Sequence, residues 1–314
     1  MNLLVTGGLG FIGSNFIEHI LKKNPEVRVV NVDKCDYVAR EKNVAPDPRY
    51  KYIRGDITEA FHMAHIFEEF QPDVVVHFAA QSHVDNSFES SFAFTKDNVT
   101  GTHTLLDAAL KYGKLKKFIH ISTDEVYGEV APNVVSTVDC ALNPTNPYAA
   151  SKAAAELYVK AYTHSFRLPC IVTRGNNVFG PKQYPEKLVP IFIKNMMEGK
   201  PCAIHGDGTT RRNFIYVDDV SRALELIIEK GQVGKIYNIG TKHEYSVLDI
   251  FEKISKVFGQ ARAMYVPDRP YNDSRYCIDS SALHELGWRE DPDFDGRLRD
   301  TVEWYRAHPD WYSL

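Results

Sequence analysis

The chain has 314 residues, more than one hydrophobic core usually serves, so two lobes are expected. Its 44% apolar and 25% charged residues are ordinary for a globular protein, and a net charge of −4 gives no electrostatic case for nucleic acid or an anionic membrane. No run approaches the ~18 apolar residues of a membrane span, and a strand pattern from Asn2 leaves no room for a signal peptide.

In chain order, "NLLVTG", "VRVVNVD", "YKYIRGD", "DVVVHFAA", "KFIHIST" and "CIVTRGNNVFG" are six strand candidates, mostly apolar on both faces. Such runs suit parallel strands covered by helices on each side. Helix patterns fall between them at about 13–23, 59–69, 96–112 and 148–165, which predicts an α/β, Rossmann-like doubly wound sheet. After about residue 175 the rhythm breaks. "IFIKNMMEG", "DDVSRALELIIEKG", "SVLDIFEKISKVFG" with Ser246 as N-cap, "SSALHELGW" and "GRLRDTVEWYRAH" read as helices of a smaller mixed lobe. The expected division is 1–174 for dinucleotide binding, with a returning segment at about 213–238, and 175–314 for substrate. The five cysteines are scattered without a CxxC, which suits reduced cytosolic thiols rather than disulfides or zinc. His62 and His65 share a helix face without a carboxylate partner in a ligand pattern; they are read as surface residues, and no metal site is expected.

"TGGLGFIG" follows the first strand and opens the first helix, with glycines at Gly7, Gly10 and Gly13. A tight turn, a bare backbone and a helix N-terminus aimed at a pyrophosphate have this spacing; a plain glycine turn would share it. Asp33 lies twenty residues beyond Gly13, where a carboxylate accepts from ribose hydroxyls and repels a 2′-phosphate. That favours NAD over NADP, although Lys34 next door weakens the discrimination. "NPYAASK" sets Tyr148 and Lys152 at i and i+4 on one helix face. An ammonium and a positive nicotinamide ring beside the phenol are expected to lower its pKa and make it a base. "STDEVYG" ends the fifth strand with Thr123, Asp124 and Glu125, which is either a solvated acidic turn or a break that aims three groups into one pocket. Ser82 and His83 follow the fourth strand, where ligands approach an open sheet. Arg212 suits a pyrophosphate, but a solvated arginine in a glycine turn fits the sequence as well.

Together these features resemble the extended short-chain dehydrogenase/reductases. "HFAAQSHVDNS", "STDEVYGE", "NPYAASKAAAE", "NNVFGPKQYPEKLVP" and "YNIGT" narrow the resemblance to the nucleoside-diphosphate-glucose 4,6-dehydratases, over nearly the whole chain. The resemblance implies an NAD-dependent lyase: Tyr148 takes the carbon 4 hydroxyl proton, Thr123 holds that hydroxyl, Glu125 removes the carbon 5 proton and protonated Asp124 releases water from carbon 6. It implies that Phe11, Ile12, Asp36, Asp56 and Ile57 join the glycines around NAD, with Phe78, Ala79, Ala80 and Val178. It assigns Asn177, Lys187, Leu188 and Asn238 to the sugar nucleotide, and Arg269, Asn272 and Asp273 to its phosphates, ribose or base. "RPYND" is closer to the "RPFND" of plant UDP-glucose enzymes than to the "RPGHD" of thymidine-type bacterial ones, so UDP-glucose is expected over dTDP-glucose. Those plant chains continue into an epimerase/reductase domain, so a rhamnose-type sugar would take a separate enzyme here. A cytoplasmic homodimer paired through the helices at about 96–112 and 148–165 is the family expectation. A 4-epimerase, or a non-catalytic NAD-binding sensor, would be expected to lack part of the acid pair or the Tyr–Lys pair.

Overall fold

The computed structural model describes residues 1–131, 133–259, 261–268 and 275–311. Its centre is a parallel sheet of β1 (Asn2–Thr6), β2 (Arg28–Asp33), β3 (Tyr50–Arg54), β4 (Val74–His77), β5 (Lys117–Thr123) and β6 (Cys170–Gly175), closed at one edge by a later strand. Between them run α1 (Phe11–Lys23), α2 (Ala60–Phe70), the short α3 (Val84–Glu89) and α4 (Ser91–Phe94), α5 (Gly101–Tyr112) and α6 (Pro147–Phe166). Beyond β6 come β7 (Asn177–Phe179), α7 (Leu188–Met197), β8 (Cys202–His205), β9 (Arg211–Tyr216), α8 (Val217–Lys230), β10 (Ile236–Ile239), β11 (Glu244–Ser246), α9 (Val247–Phe258), β12 (Ala263–Val266), α10 (Ser281–Glu285) and α11 (Phe294–Ala307). The central order is β10-β6-β5-β4-β1-β2-β3. The chain turns back on itself between β1 and β4, and a crevice opens there at the carboxyl ends of the strands.

Both faces of β1, β2, β4, β5 and β6 are mostly buried, which explains their apolar runs, while β3 at the edge is only partly covered. Leu3, Val5, Val74, Val76 and Ile119 pack under α1 and α8 with Phe16, Ile17, Leu224 and Ile227. The alternate residues Leu4, Val32, Val75 and Phe118 pack under α2, α5 and α6 with Ile66, Phe67, Leu105 and Val159. A third cluster joins α7, α9 and α11 through Phe192, Ile193, Ile250, Ile254, Leu298 and Val302. Ser246 is the N-cap of α9, as its sequence predicts, and it forms a reciprocal capping box with Asp249.

Two elements differ from the sequence reading. The sixth strand, expected to run through "NNVF", stops at Gly175, and β7 joins β9 and β11 in a separate sheet. At the break the Asn176 backbone N–H still donates to Ile239 O at 3.2 Å, while its side-chain amide bonds to Asp124 and to the Thr241 backbone. The helix expected from about 96 starts earlier, and Thr95–Thr100 forms a π-turn between α4 and α5. That extra residue per turn brings buried Asn98 to the Gln81 backbone and to Ser151 Oγ, at 2.8 Å, on α6.

Glu156 on α6 and Arg174 on β6 form an ion pair with both side chains 4% exposed; Arg174 Nη2 donates to Oε2 at 2.6 Å and its guanidinium lies 4.6 Å over the Tyr127 ring. Removing one partner strands a buried charge. Glu156→Ala should lower unfolding stability by about 3–5 kcal/mol, read from the urea midpoint at constant m-value.

Candidate active site

β1 runs into Gly7, whose φ of 72° belongs to glycine; a Cβ there would lie 2.5 Å from the Ala79 backbone nitrogen. At Gly13 a Cβ would lie 2.6 Å from Gly7 O, so the first turn of α1 rests directly on the glycine turn. At Gly10 it would meet only Gly7 O, at 3.3 Å, so this backbone is open to a ligand. Asp33 ends β2, accepting from Leu9 N at 2.9 Å and Cys35 N at 2.8 Å, and burial pushes its carboxyl above the usual range. Lys34 is drawn to Asp97, at 2.5 Å, and Asp36, at 3.5 Å, which pins its ammonium among carboxylates. Phe11, Ile12, Asp56, Ile57, Phe78, Ala79, Ala80 and Val178 line the same crevice. A bare turn at a helix N-terminus and an acidic residue ending the next strand fit a dinucleotide.

β5 ends at Thr123, and Asp124–Tyr127 turns at once into a 3₁₀ helix. Side chains on a continuing strand would alternate faces, but with the break Thr123, Asp124 and Glu125 all line the cavity. The Thr123 hydroxyl accepts from Glu125 N and donates to Asp124 Oδ1, both at 3.3 Å. Asp124 is 3% exposed, and its Oδ2 accepts from Asn176 Nδ2 at 2.7 Å. Burial pushes its carboxyl up to about 7; Glu125 adds to the rise, while Asn176, Arg212 and Thr123 oppose it. Glu125 Oε2 accepts from Asn146 Nδ2 at 2.9 Å, and Asn146 caps α6 by accepting from Ala149 N at 2.8 Å, with Pro147 at the first helical position.

From that cap α6 carries Tyr148 and, one turn on, Lys152 into the cavity. Lys152 Nζ donates to Ile121 O at 2.6 Å, and burial pulls its pKa down to about 8. The expected lowering of the Tyr148 pKa is not what the chain alone produces. Burial pushes the phenol up and Glu125 and Asp124 reinforce it, with only the Thr123 hydrogen bond working the other way. The reason is geometric: the Lys152 ammonium turns to Ile121 O, and two carboxylates share the phenol's surroundings.

The cavity, of about 660 Å³, continues past Ser82, His83, Asn177, Lys187, Leu188 and Arg212. Lys187 Nζ donates to Ser82 O at 3.0 Å, joining the two banks of the crevice. The Arg212 guanidinium lies 5.0 Å over the Tyr276 ring. Asn238, expected at the substrate, lies elsewhere: it is 1% exposed on β10, accepting from the Tyr127 hydroxyl at 2.9 Å and donating to Asp279 O at 3.0 Å. Its side chain ties β10 to its neighbours instead of reaching the cavity. Arg269, Asn272 and Asp273 lie outside the described residues. His65 pairs with Glu69 at 3.5 Å on an exposed helix face, and among the described residues no group of three His, Cys, Asp or Glu is placed to hold a metal.

A sequence profile described as GDP-mannose 4,6 dehydratase matches residues 4–301. The chain belongs to the GDP-mannose 4,6-dehydratase family. It is 46% identical to a trifunctional UDP-glucose 4,6-dehydratase/UDP-4-keto-6-deoxy-D-glucose 3,5-epimerase/UDP-4-keto-L-rhamnose-reductase of Arabidopsis thaliana, over 99% of this chain and 48% of that protein. The chain thus spans about half the length of those plant relatives. It is 44% identical to the dTDP-D-glucose 4,6-dehydratase of Mus musculus, over 98% of this chain and 89% of that protein. The crystal structure of DesIV, a dTDP-glucose 4,6-dehydratase of Streptomyces venezuelae with NAD bound, superposes with a TM-score of 0.95 at 38% identity, covering 100% of this chain and 99% of that one. The fold is therefore that of the extended short-chain dehydrogenase/reductases.

In this GDP-mannose 4,6-dehydratase family member, sequence reasoning passed over Asn146, Asn176, Gln81 and Asn98. Asn146 carried a signal, an N-cap asparagine before proline. Asn176 carried none, because inside an apparent strand its face cannot be read until the strand is known to stop. Gln81 bridges Asp36, at 2.9 Å, and Asp97, at 2.7 Å. That contact joins two loops and the π-turn and has no local pattern.

Proposed function

We propose that the chain is an NAD-dependent nucleotide-sugar 4,6-dehydratase acting on UDP-glucose, which it converts to UDP-4-keto-6-deoxyglucose. The observation that carries this reading is the shared cavity in which Tyr148, the buried acid Asp124 and its neighbour Glu125 lie beyond the glycine turn. NAD, when bound, supplies an acceptor for the carbon 4 hydride, its later return to carbon 6, and a positive ring beside the phenol. Tyr148 takes the carbon 4 hydroxyl proton while Thr123 holds that oxygen. The resulting ketone acidifies carbon 5, whose proton passes to Glu125. The electron pair left behind forms the carbon 5–carbon 6 double bond as the carbon 6–oxygen bond breaks. Asp124 gives its proton to that oxygen, and water leaves. Two adjacent carboxyls suit this division of labour only if one is neutral while the other is ionised, and the burial of Asp124 next to Glu125 supports that split.

UDP as the nucleotide is supported by the identity to the plant UDP-glucose enzymes and by "RPYND" at 269–273; the mouse relative supports dTDP-glucose as the alternative. Comparing kcat/KM for the two sugars tests it. UDP-glucose should be preferred by about tenfold or more, and a preference for dTDP-glucose would reverse the assignment. Asp33→Asn should narrow the preference for NAD over NADP by about tenfold, read by fluorescence titration with each dinucleotide. The placement of Lys34 against Asp97 and Asp36 supports its being a poor partner for a 2′-phosphate.

A homodimer paired through α5 and α6 is proposed with it, supported by Leu157 and Phe166 at 59% and 53% exposure; light scattering should give twice the chain mass. The proposed compartment is the cytosol, which suits five free cysteines. Among the described residues no helix is long and apolar enough to cross a membrane.

A further inference from the structure

The two acids are held by a matched pair of amides. Asn176 Nδ2 donates to Asp124 Oδ2 at 2.7 Å, and Asn146 Nδ2 donates to Glu125 Oε2 at 2.9 Å. In each case the amide oxygen is fixed by a backbone N–H, which can only donate: Thr241 N to Asn176 Oδ1 at 3.0 Å, and Ala149 N to Asn146 Oδ1 at 2.8 Å. Neither amide can flip without setting donor against donor and acceptor against acceptor. Both are nearly buried, at 5% and 8% exposure. Room for the first is kept by Gly240, where a Cβ would lie 2.9 Å from Asn176 Oδ1. The placement follows from the sheet: β5 pairs Thr123 with Gly175, β10 pairs Ile239 with Gly175, and the residues just past these strand ends are Asp124, Asn176 and Gly240.

We infer that Asn176 and Asn146 are positioning residues for water loss, each presenting one carboxyl of the acid pair with one oxygen clamped. This rests on the dehydratase reading above. Asn176 can only donate to Oδ2, at 2.7 Å, whereas the Thr123 hydroxyl lies 3.3 Å from Oδ1 and can turn to accept, so Asn176 directs the Asp124 proton to Oδ1. From Oδ1 it passes to the departing carbon 6 oxygen as Glu125 receives the carbon 5 proton. Asn146 does a second thing: it starts α6, so the amide that orients Glu125 also fixes where Tyr148 enters the cavity. The redox base and the elimination base are thereby referenced to a single side chain.

The groups that face Asp124 are Glu125 on its own turn, Tyr148 from α6, Arg212 from β9 and Cys277 from the segment before α10. The Asn176 donor favours the ionised acid, so its loss moves the titration upward.

The test uses Asn176→Leu, close in size but without a donor, and Asn146→Ser, which keeps an N-cap but cannot reach Glu125. With UDP-glucose, both variants should form reduced nicotinamide at the parent rate and release water about tenfold more slowly at neutral pH. In Asn176→Leu the alkaline limb of the water-loss rate should also move up by roughly one pH unit. Oxidation and water loss that fall together in both variants, or an alkaline limb that stays in place, would overturn the inference. A parent protein that turns over neither UDP-glucose nor dTDP-glucose would instead sink the dehydratase reading, a result distinct from either of those.

Discussion

Asp124→Asn should cut water loss by about a thousandfold while leaving the first oxidation and dinucleotide affinity within a factor of about two. An amide of the same shape keeps the Asn176 and Thr123 contacts available but cannot deliver a proton to a leaving hydroxyl. Stopped-flow absorbance of the reduced nicotinamide, alongside quenched-flow analysis of the sugar, separates the two steps. The expected pattern is a normal burst followed by a stall at the 4-ketohexose. Equal turnover of variant and parent would remove Asp124 from the chemistry. The same substitution has a stability signature. Burial raises the Asp124 carboxyl from 3.8 to about 7 in the folded state, so between these values the folded chain holds a proton that the unfolded chain has lost. The contribution of this group to stability is therefore present at low pH and is lost as pH rises through about 7. Replacing it with an uncharged amide should raise the thermal midpoint above the parent's at about pH 8 and bring the two together at about pH 4.

Tyr148→Phe should fail one step earlier, with oxidation slowed by about a thousandfold or more and no burst of reduced nicotinamide. Removing only the phenol oxygen leaves the ring and its contact with Phe94, 6.3 Å between centroids, so the fold should be unaffected. In the chain alone the phenol is a reluctant base, raised by burial and by two nearby carboxylates. Its proton leaves readily only when positive charge joins it. The oxidation rate in the parent should therefore rise with pH across the neutral range. Circular dichroism and dinucleotide titration unchanged from the parent would tie the defect to the missing oxygen. A variant that still shows a full burst would contradict the role of Tyr148.

The doubly wound sheet was legible because its strands are apolar on both faces and its turns carry glycine at positions that only glycine fits, as Gly7 and Gly13 do against Ala79 and Gly7 O. The Tyr148–Lys152 pair was legible because helix spacing sets both on one face, and the Thr123–Asp124–Glu125 triplet because it stands where an apolar strand ends. What the sequence could not convey is long-range pairing. The resemblance assigned Asn238 to the sugar nucleotide, yet it serves Tyr127 and Asp279, which lie 111 and 41 residues away. Asn176 looked like one more strand residue, and its meaning depends on Asp124, 52 residues earlier, and Thr241, 65 residues later. Of the two charges expected to lower the Tyr148 pKa, the Lys152 ammonium does not act in the chain alone, for a related reason. Helix spacing places Lys152 near the phenol but cannot say that its ammonium points at Ile121 O.

The most direct test of the proposed reaction follows one hydrogen atom. UDP-glucose carrying deuterium on carbon 4 should give a 4-keto-6-deoxy sugar with that deuterium on carbon 6, together with one solvent-derived hydrogen on carbon 5. Deuterium washed into solvent, or returned to carbon 4 with inverted configuration and no loss of water, would contradict the account.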